Sequence, residues 1–419
     1  MSDLQKVSLS HANKNISGTV VLTGSKSESN RALIIQALSQ GSVSVANLSE
    51  AADTVTMGEA LAIASDSNAT GNRTKIDIGP AGTAMRFLTS FLSLSAGSFE
   101  LTGSARMQER PIKLLVDALH TIGATISYAA KEGYPPLHID GPFEQTATKV
   151  SIPGDISSQY ISSLLLIAAA LPKGLNLQIE GELTSKPYVS MTLDMLRESG
   201  IEYQWNEQTI SIPAQSFGTA TLYVEPDWSA ASYWYAMVAL AKEGSLFLPG
   251  LKKNSLQGDI AIANIMTHFG VHTTFEEGGI TLQKGTLTGD PVFLDLKECP
   301  DLAQTIVVIA AALRIPTTFT GLETLKIKET DRIAALQNEI GKFGCKLHED
   351  KEIYTLDTEG YFVPQELVIA TYEDHRMAMA FAPLALHFPL VTVEEPAVVN
   401  KSYPDFWQHL QDQQFNLVS

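Results

Sequence analysis

The sequence predicts an α/β (α+β) chain of two similar lobes, each made of three repeats in the order β–α–β–α–β–β. Three observations lead there. Six Ala/Leu-rich helical segments recur, expected at 29–39, 84–94, 159–171, 230–241, 303–313 and 377–386. A β-like run follows each, starting near Ser42, Ser98, Leu175, Ser245, Thr317 and Leu390, on average about 70 residues apart, one sixth of the 419-residue chain. A second amphipathic helix, a Gly and a hairpin-like pair of runs then complete the unit.

The first helices are the easiest to justify. Those at 159–171 and 303–313 contain the longest apolar runs, Leu164–Leu171 and Ile306–Leu313. Both are far shorter than the ~20 residues that cross a bilayer, so they are read as buried helices. The second helices are expected at 114–122, 191–199, 260–269 and 333–343, each followed by a Gly (Gly123, Gly200, Gly270, Gly344) where a helix end favours positive φ. Val271-His272-Thr273-Thr274-Phe275 alternates as a strand does, and Glu276-Glu277-Gly278-Gly279 is turn chemistry. Repeats of this size exceed the 20–50 residues of solenoid units. They are read as building compact lobes, three to a lobe, with a hinge near Val224-Glu225-Pro226-Asp227.

Composition narrows the function. Hydrophobic residues make up 44% and charged residues 18%, enough for sizeable cores. With 29 Lys+Arg against 46 Asp+Glu the net charge is −17, which argues against nucleic acid as a partner. Two cysteines, Cys299 and Cys345, cannot build a disulfide framework or a four-Cys zinc site. A reducing, cytoplasmic location is expected. The start Met1-Ser2-Asp3-Leu4-Gln5-Lys6 has no apolar signal core, and no membrane association is expected.

The loops entering the helices hold the unusual residues. Before first helices stand Gly24-Ser25-Lys26-Ser27-Glu28-Ser29-Asn30-Arg31, Gly79-Pro80-Ala81-Gly82-Thr83-Ala84-Met85-Arg86, Gly154-Asp155-Ile156-Ser157-Ser158-Gln159, Cys299-Pro300-Asp301 and Glu373-Asp374-His375-Arg376; the unit-four loop, Asp227-Trp228-Ser229, has no cation. Before second helices stand Arg106, Arg110, Lys186, Lys328 and Arg332, with Lys401 near the end. Of nine arginines, six (Arg31, Arg86, Arg106, Arg110, Arg332, Arg376) fall in these loops or the turns after them. Helix N-termini attract anions, Gly82 lets a ligand approach the backbone, and Arg pairs bidentately with carboxylate and phosphate. A substrate with several anionic groups follows. Each motif also has a plain reading: Ser27 or Ser29 as a helix cap, Thr330 or Asp331 as another, Arg110-Pro111 as a helix start, Arg86 and Arg376 in structural ion pairs, and His375 as a hydrogen-bonded core residue.

Taken together, Gly24-Ser25-Lys26-Ser27-x-Ser29-Asn30-Arg31, Ala81-Gly82-Thr83-Ala84-Met85-Arg86, Arg106-Met107-x-Glu109-Arg110-Pro111, Ser157-Ser158-Gln159, Ser185-Lys186-Pro187-Tyr188, Lys328-Glu329-Thr330-Asp331-Arg332 and Asp374-His375-Arg376-Met377-Ala378-Met379 resemble the 5-enolpyruvylshikimate-3-phosphate synthase family, in order from about residue 20 to 405. The resemblance implies the enolpyruvyl transferase-like inside-out barrel: one lobe from 1–22 and 227–419, including the N-terminal strand, the other from 23–226, and an active site in the cleft between them. It implies transfer of the enolpyruvyl group of phosphoenolpyruvate to the 5-hydroxyl of shikimate 3-phosphate, with no metal or organic cofactor, by a monomer. It assigns Asp301 as base for the hydroxyl, Glu329 as proton donor to C3, and Lys26 to the developing charge and to both substrates. Lys26, Ser27, Arg31, Ser157, Ser158, Gln159, Ser185, Asp301 and Lys328 are implied for shikimate 3-phosphate. Lys26, Gly82, Arg110, Gln159, Arg332, Arg376 and Lys401 are implied for phosphoenolpyruvate.

Two positions depart from the family pattern. Thr324 stands where an Asn is usual, and Gly79-Pro80 replaces Gly-Asn, removing an amide side chain and a backbone N–H. Two other readings compete, and a third, RNA-end processing, conflicts with the acidic balance. A UDP-N-acetylglucosamine enolpyruvyl transferase typically has Lys-Asn in the first loop and a reactive Cys in one lobe, whereas here stand Lys26-Ser27 and two cysteines in the second half. A non-catalytic anion-binding repeat protein would need the cations but not Asp301 and Glu329.

Overall fold

Among the described residues the strands form six sheets, each with a helix of its own repeat packed against it. The computed structural model describes residues 6–66 and 73–418. It divides into two units, Gly24–Val224 and Met1–Thr23 with Glu225–Ser419.

In the unit Gly24–Val224, one sheet has the strand order Thr74–Asp77, Gly97–Thr102, Leu137–Gly141, Thr125–Tyr128, and a second the order Lys149–Pro153, Leu175–Glu180, Thr209–Ile212, Gln204–Asn206. In both, the first pair is parallel and the other pairs antiparallel. The parallel pair spans the crossover helix, and the antiparallel pair is the expected hairpin. Between the strands run the helices Lys26–Leu38, Gly82–Leu94 and Ser158–Ala168, which pack on one another. Ser163 ties the last two, donating to the Arg86 carbonyl at 2.7 Å and sharing a 2.6 Å hydrogen bond with Ser90.

The other unit repeats the plan three times. Its sheets run Asn15–Thr19, Glu243–Pro249, Gly279–Lys284, Val271–Glu276; then Val292–Asp295, Thr317–Thr320, Ile353–Asp357, Lys346–Asp350; then Leu367–Ile369, Val391–Glu394, Lys6–His11, Phe415–Val418. The expected hairpin around Gly278 forms, with Phe275 opposite Ile280. Helices Trp228–Leu240 and Ala303–Leu313 are apolar nearly all round, and every residue from Ala303 to Ala312 is buried, as befits helices enclosed on all sides. Gly200 and Gly344 end second helices with φ of +83° and +85°, the conformation that costs glycine least.

Three expectations need correction. Among the described residues the first repeat lacks the closing pair of strands of the β–α–β–α–β–β order. Among them, its helix Ala52–Asp66 is followed by Thr74–Asp77 of the next sheet. Among the described residues its sheet is therefore only Val43–Ala46 beside Ala220–Tyr223, in parallel. The second helix expected at 260–269 is broken into Gly258–Ala261, Ile262–Ile265 and Met266–Phe269, with 3₁₀ turns on either side of one α turn. The helix expected through 386 is α-helical only over His375–Phe381 and tightens into a 3₁₀ turn at Ala382–Leu386, where Pro383 lacks an N–H.

The strand bookkeeping explains how the chain passes between units. Lys6–His11 completes the last sheet, pairing with Val391–Glu394 and Phe415–Val418. Asn15–Thr19 lies parallel to Glu243–Pro249 and opens the fourth repeat rather than the first. The strand that opens the first repeat comes from Ala220–Tyr223. The two opening strands are thus exchanged, so the chain changes unit once near Thr23 and again near Val224.

Candidate active site

In the unit Gly24–Val224, three helix N-termini carry the motif residues. Helix Lys26–Leu38 is capped by Ser25, whose hydroxyl accepts from the Glu28 N–H, so neither Ser27 nor Ser29 is the cap. Ser29 instead accepts from the Ser49 N–H at 2.9 Å. Lys26 occupies the first turn and pairs with the buried Asp53 at 3.2 Å. Arg31, one turn on, is buried. Its Nε donates to Thr192 Oγ1 at 2.7 Å, Nη1 to the Ser27 carbonyl at 2.8 Å, and Nη2 to Ser162 Oγ and the Tyr188 carbonyl, both at 3.2 Å. Phe87 and Tyr188 lie under the guanidinium. No carboxylate of a described residue comes within ion-pair distance of it, and burial lowers its pKa to about 10 against the pull of Tyr188 and Glu28.

The second and third helices supply Gly82 and Gln159. Gly82 opens helix Gly82–Leu94, and a Cβ there would stand 2.7 Å from Arg110 Nη1. The missing side chain is what lets Arg110 lie against the helix end. Gln159 Nε2 donates to Thr83 Oγ1 at 3.2 Å, next to Gly82. Ser157 caps helix Ser158–Ala168 through the Gln159 N–H. Ser185 stands at the N-terminus of Lys186–Glu198 in a left-handed conformation, φ +54°, unusual for a residue with a side chain, and its hydroxyl makes no capping hydrogen bond. Arg110-Pro111 precedes its helix, which begins at Lys113. Arg86 points inward, to the Gly82 and Pro111 carbonyls and Met107 Sδ. Arg106 pairs on the surface with Glu109, and Lys186 lies over the Trp205 ring.

In the other unit the predicted residues form one ion-pair network. Arg332, buried at the start of helix Arg332–Gly341, contacts three carboxylates: Asp374 at 2.7 Å, Glu329 at 3.0 Å and Asp301 at 3.2 Å. Lys401 meets the second oxygen of Glu329 at 2.9 Å, and Arg376 the second oxygen of Asp301 at 2.8 Å. Burial alone would raise the Asp301 pKa, but Arg376, Lys328 and Arg332 outweigh it and hold the carboxyl far below its usual range. Burial would likewise lower the Arg332 pKa, and Asp374, Glu329 and Asp301 more than reverse this. Asp331 caps the helix through Ile333 and Ala334.

Several partners escaped the motif reading. Asp374 caps helix His375–Phe381 through the Arg376 N–H while holding Arg332. Ser229 and Tyr233, one turn apart, accept from Arg376 at 3.4 and 3.3 Å. The Ser229 hydroxyl in turn donates to Asp259. Asp374 was visible in its motif and could have been found from its place beside Arg376; Asp53 and Asp259 sit in unremarkable helical stretches and carry no sequence signal.

The family model for EPSP synthase (3-phosphoshikimate 1-carboxyvinyltransferase) matches residues 10–410. The chain belongs to the EPSP synthase family. A relative in Bacteroides fragilis (strain YCH46), named 3-phosphoshikimate 1-carboxyvinyltransferase, is 46% identical over 409 residues, 97% of each chain. One of the same name in Cronobacter sakazakii is 36% identical over 416 residues, 94% of this chain and 96% of that one. Among solved structures, EPSP synthase from Acinetobacter baumannii matches with a TM-score of 0.77 at 20% identity, covering 99% of this chain and 100% of that one. The enolpyruvyl transferase NikO from Streptomyces tendae matches at 0.74 and 18%, covering 99% and 98%. At such identities the structures bear on fold, and they place the mixed α/β architecture with EPSP synthases and enolpyruvyl transferases.

Proposed function

We propose that the protein transfers the enolpyruvyl group of phosphoenolpyruvate to the 5-hydroxyl of shikimate 3-phosphate and releases phosphate, by addition and elimination through a tetrahedral intermediate. The observation that carries this reading is one guanidinium, Arg332, shared by two carboxylates with different second partners, Asp301 with Arg376 and Glu329 with Lys401. Two fixed carboxylates suit a reaction that removes a proton from a hydroxyl and moves another on and off C3. An anion-binding protein without chemistry has no use for them.

In this reading Asp301, ionised throughout the neutral range, takes the hydroxyl proton as the oxygen attacks C2. Glu329 delivers a proton to C3 and takes it back as phosphate leaves. Lys26 stabilises the charge that develops between the substrates. Ser27, Arg31, Ser157, Ser158, Gln159, Ser185 and Lys328 hold shikimate 3-phosphate, and Gly82, Arg110, Gln159, Arg332, Arg376 and Lys401 hold phosphoenolpyruvate. The reading includes action as a monomer in the cytoplasm; no helix among the described residues is long and apolar enough to cross a membrane.

The test mixes the protein with phosphoenolpyruvate and an acceptor and follows phosphate release. Release with shikimate 3-phosphate and none with UDP-N-acetylglucosamine is expected. The reverse pattern would assign the protein to the other enolpyruvyl transfer.

A further inference from the structure

Asp259 is a buried acid beside the network and makes no ion pair with a described residue. It lies in the 3₁₀ turn Gly258–Ala261 of the broken second helix and is 3% exposed. One carboxylate oxygen accepts the Ser229 hydroxyl; the other, buried, has no hydrogen-bond partner. A buried acid so sparsely satisfied costs stability, and such groups call for an explanation beyond packing.

The surroundings supply one. A serine hydroxyl has a single proton. Committed to Asp259, it leaves the Ser229 oxygen as an acceptor toward Arg376, which lies 3.4 Å away. Tyr233, one turn further along helix Trp228–Leu240, accepts from the other terminal nitrogen of the same guanidinium at 3.3 Å. Nη2 of Arg376 then reaches Asp301 at 2.8 Å. The path runs from Asp259 through Ser229 and Arg376 to the proposed base.

We infer that Asp259 and Ser229 are positioning residues, which orient the Arg376 guanidinium and through it both Asp301 and the anion that Arg376 holds. This rests on the proposed roles of Arg376 and Asp301. The broken helix has a purpose on this account: it brings Asp259 under the first turn of Trp228–Leu240. Burial and the neighbouring Asp301 raise the Asp259 pKa to about 7, offset by Arg376 and Ser229, while Asp227 adds to the rise. The buried Cys299 thiol also faces Asp259, and its own pKa is pushed up, first by burial. An acid near neutrality can accept the hydroxyl's hydrogen bond in either charge state, so the positioning function concerns acceptance rather than charge.

The experiment uses Asp259→Leu, Asp259→Asn, Ser229→Ala and Ser229→Thr in the full chain. Leu restores packing but accepts nothing; Asn and Thr keep the acceptor and the hydroxyl. Expected are an at least tenfold loss of kcat/KM for phosphoenolpyruvate in Asp259→Leu and Ser229→Ala, with the Tm of Asp259→Leu preserved. Asp259→Asn and Ser229→Thr should stay within about threefold of the parent. An activity-free arm follows the guanidinium of Arg376 by ¹⁵N NMR, assigned with Arg376→Lys; its rotation should accelerate in Asp259→Leu and Ser229→Ala alone. Unchanged kinetics and an unchanged Arg376 signal in these two variants would overturn the inference. A parent protein that releases no phosphate, but whose Arg376 signal responds as described, would instead sink the synthase reading and leave the anchor standing.

Discussion

The two units hold their buried arginines in opposite ways. Arg31, in Gly24–Val224, is surrounded by hydroxyls, carbonyls and two aromatic rings, and no described carboxylate pairs with it. Arg332, in the other unit, is wedged among three carboxylates, and Arg376 joins one of them. An arginine buried among neutral groups keeps its charge available to an incoming anion. One buried among acids also fixes those acids in place, beside any anion it meets. The first arrangement suits holding a substrate. The second suits proton transfer, where carboxylates must be ionised and well oriented. The contrast also explains why the net charge of −17 misleads: many acids nearest the proposed chemistry are locally neutralised.

The sharpest way to break this comparison is to remove the acid at its centre. Asp301→Asn keeps shape but abolishes basicity, and should lower kcat by about 10²–10⁴-fold, the usual range for a general base. Steady-state phosphate release gives the number, and near-normal turnover would take Asp301 out of its role.

Next in size are the arginines. Arg332→Met leaves Asp374, which is fully buried, without its partner, and should destabilise the fold by about 3–5 kcal/mol. Arg31→Met orphans no carboxylate, so its cost in stability should be small, as for replacing a buried ion by a well-packed side chain. It should instead raise the KM for shikimate 3-phosphate at least tenfold. Chemical denaturation and kinetics on both variants check this. Equal destabilisation would show that Arg31 has a structural role that the contrast misses.

The pH response is smaller. Asp259 has a folded pKa of about 7, above the ~4 of an unfolded Asp. Its contribution to stability is present at acid pH and lost as pH rises through 7, because the folded protein must then ionise a buried group. Between pH 5.5 and 8.5 the Tm of the parent should therefore fall further than that of Asp259→Asn. Parallel melting curves would mean that Asp259 does not titrate there. The smallest effect expected is that of Pro80→Asn. Pro80 is exposed, beside a Gly79 of φ +53°, and restoring the family's usual residue should change kcat/KM for phosphoenolpyruvate by a few-fold at most.

The sequence shows much of this architecture because several of the helices that organise the repeats, such as Trp228–Leu240 and Ala303–Leu313, are apolar nearly all round. A run such as Ile306–Leu313 has few alternatives to burial, and Ala/Leu-rich segments at regular spacing mark the repeats. Sheet membership is harder to see. Asn15–Thr19 and Ala220–Tyr223 are short, and nothing local says that each opens the repeat nearer the other. The motif cations were legible from residue type and place, but their partners were not. Lys26 stands out in a Ser-rich loop; Asp53, which it meets, lies inside a plain helix. Asp259 becomes visible only once the broken helix sets it under Ser229.

The most direct measurement is ³¹P NMR of the protein with equimolar phosphoenolpyruvate and shikimate 3-phosphate. One inorganic phosphate should appear for each phosphoenolpyruvate lost, while the ester phosphate of the acceptor persists in a shifted resonance. Loss of phosphoenolpyruvate without the acceptor, or no loss with it, would contradict enolpyruvyl transfer to shikimate 3-phosphate.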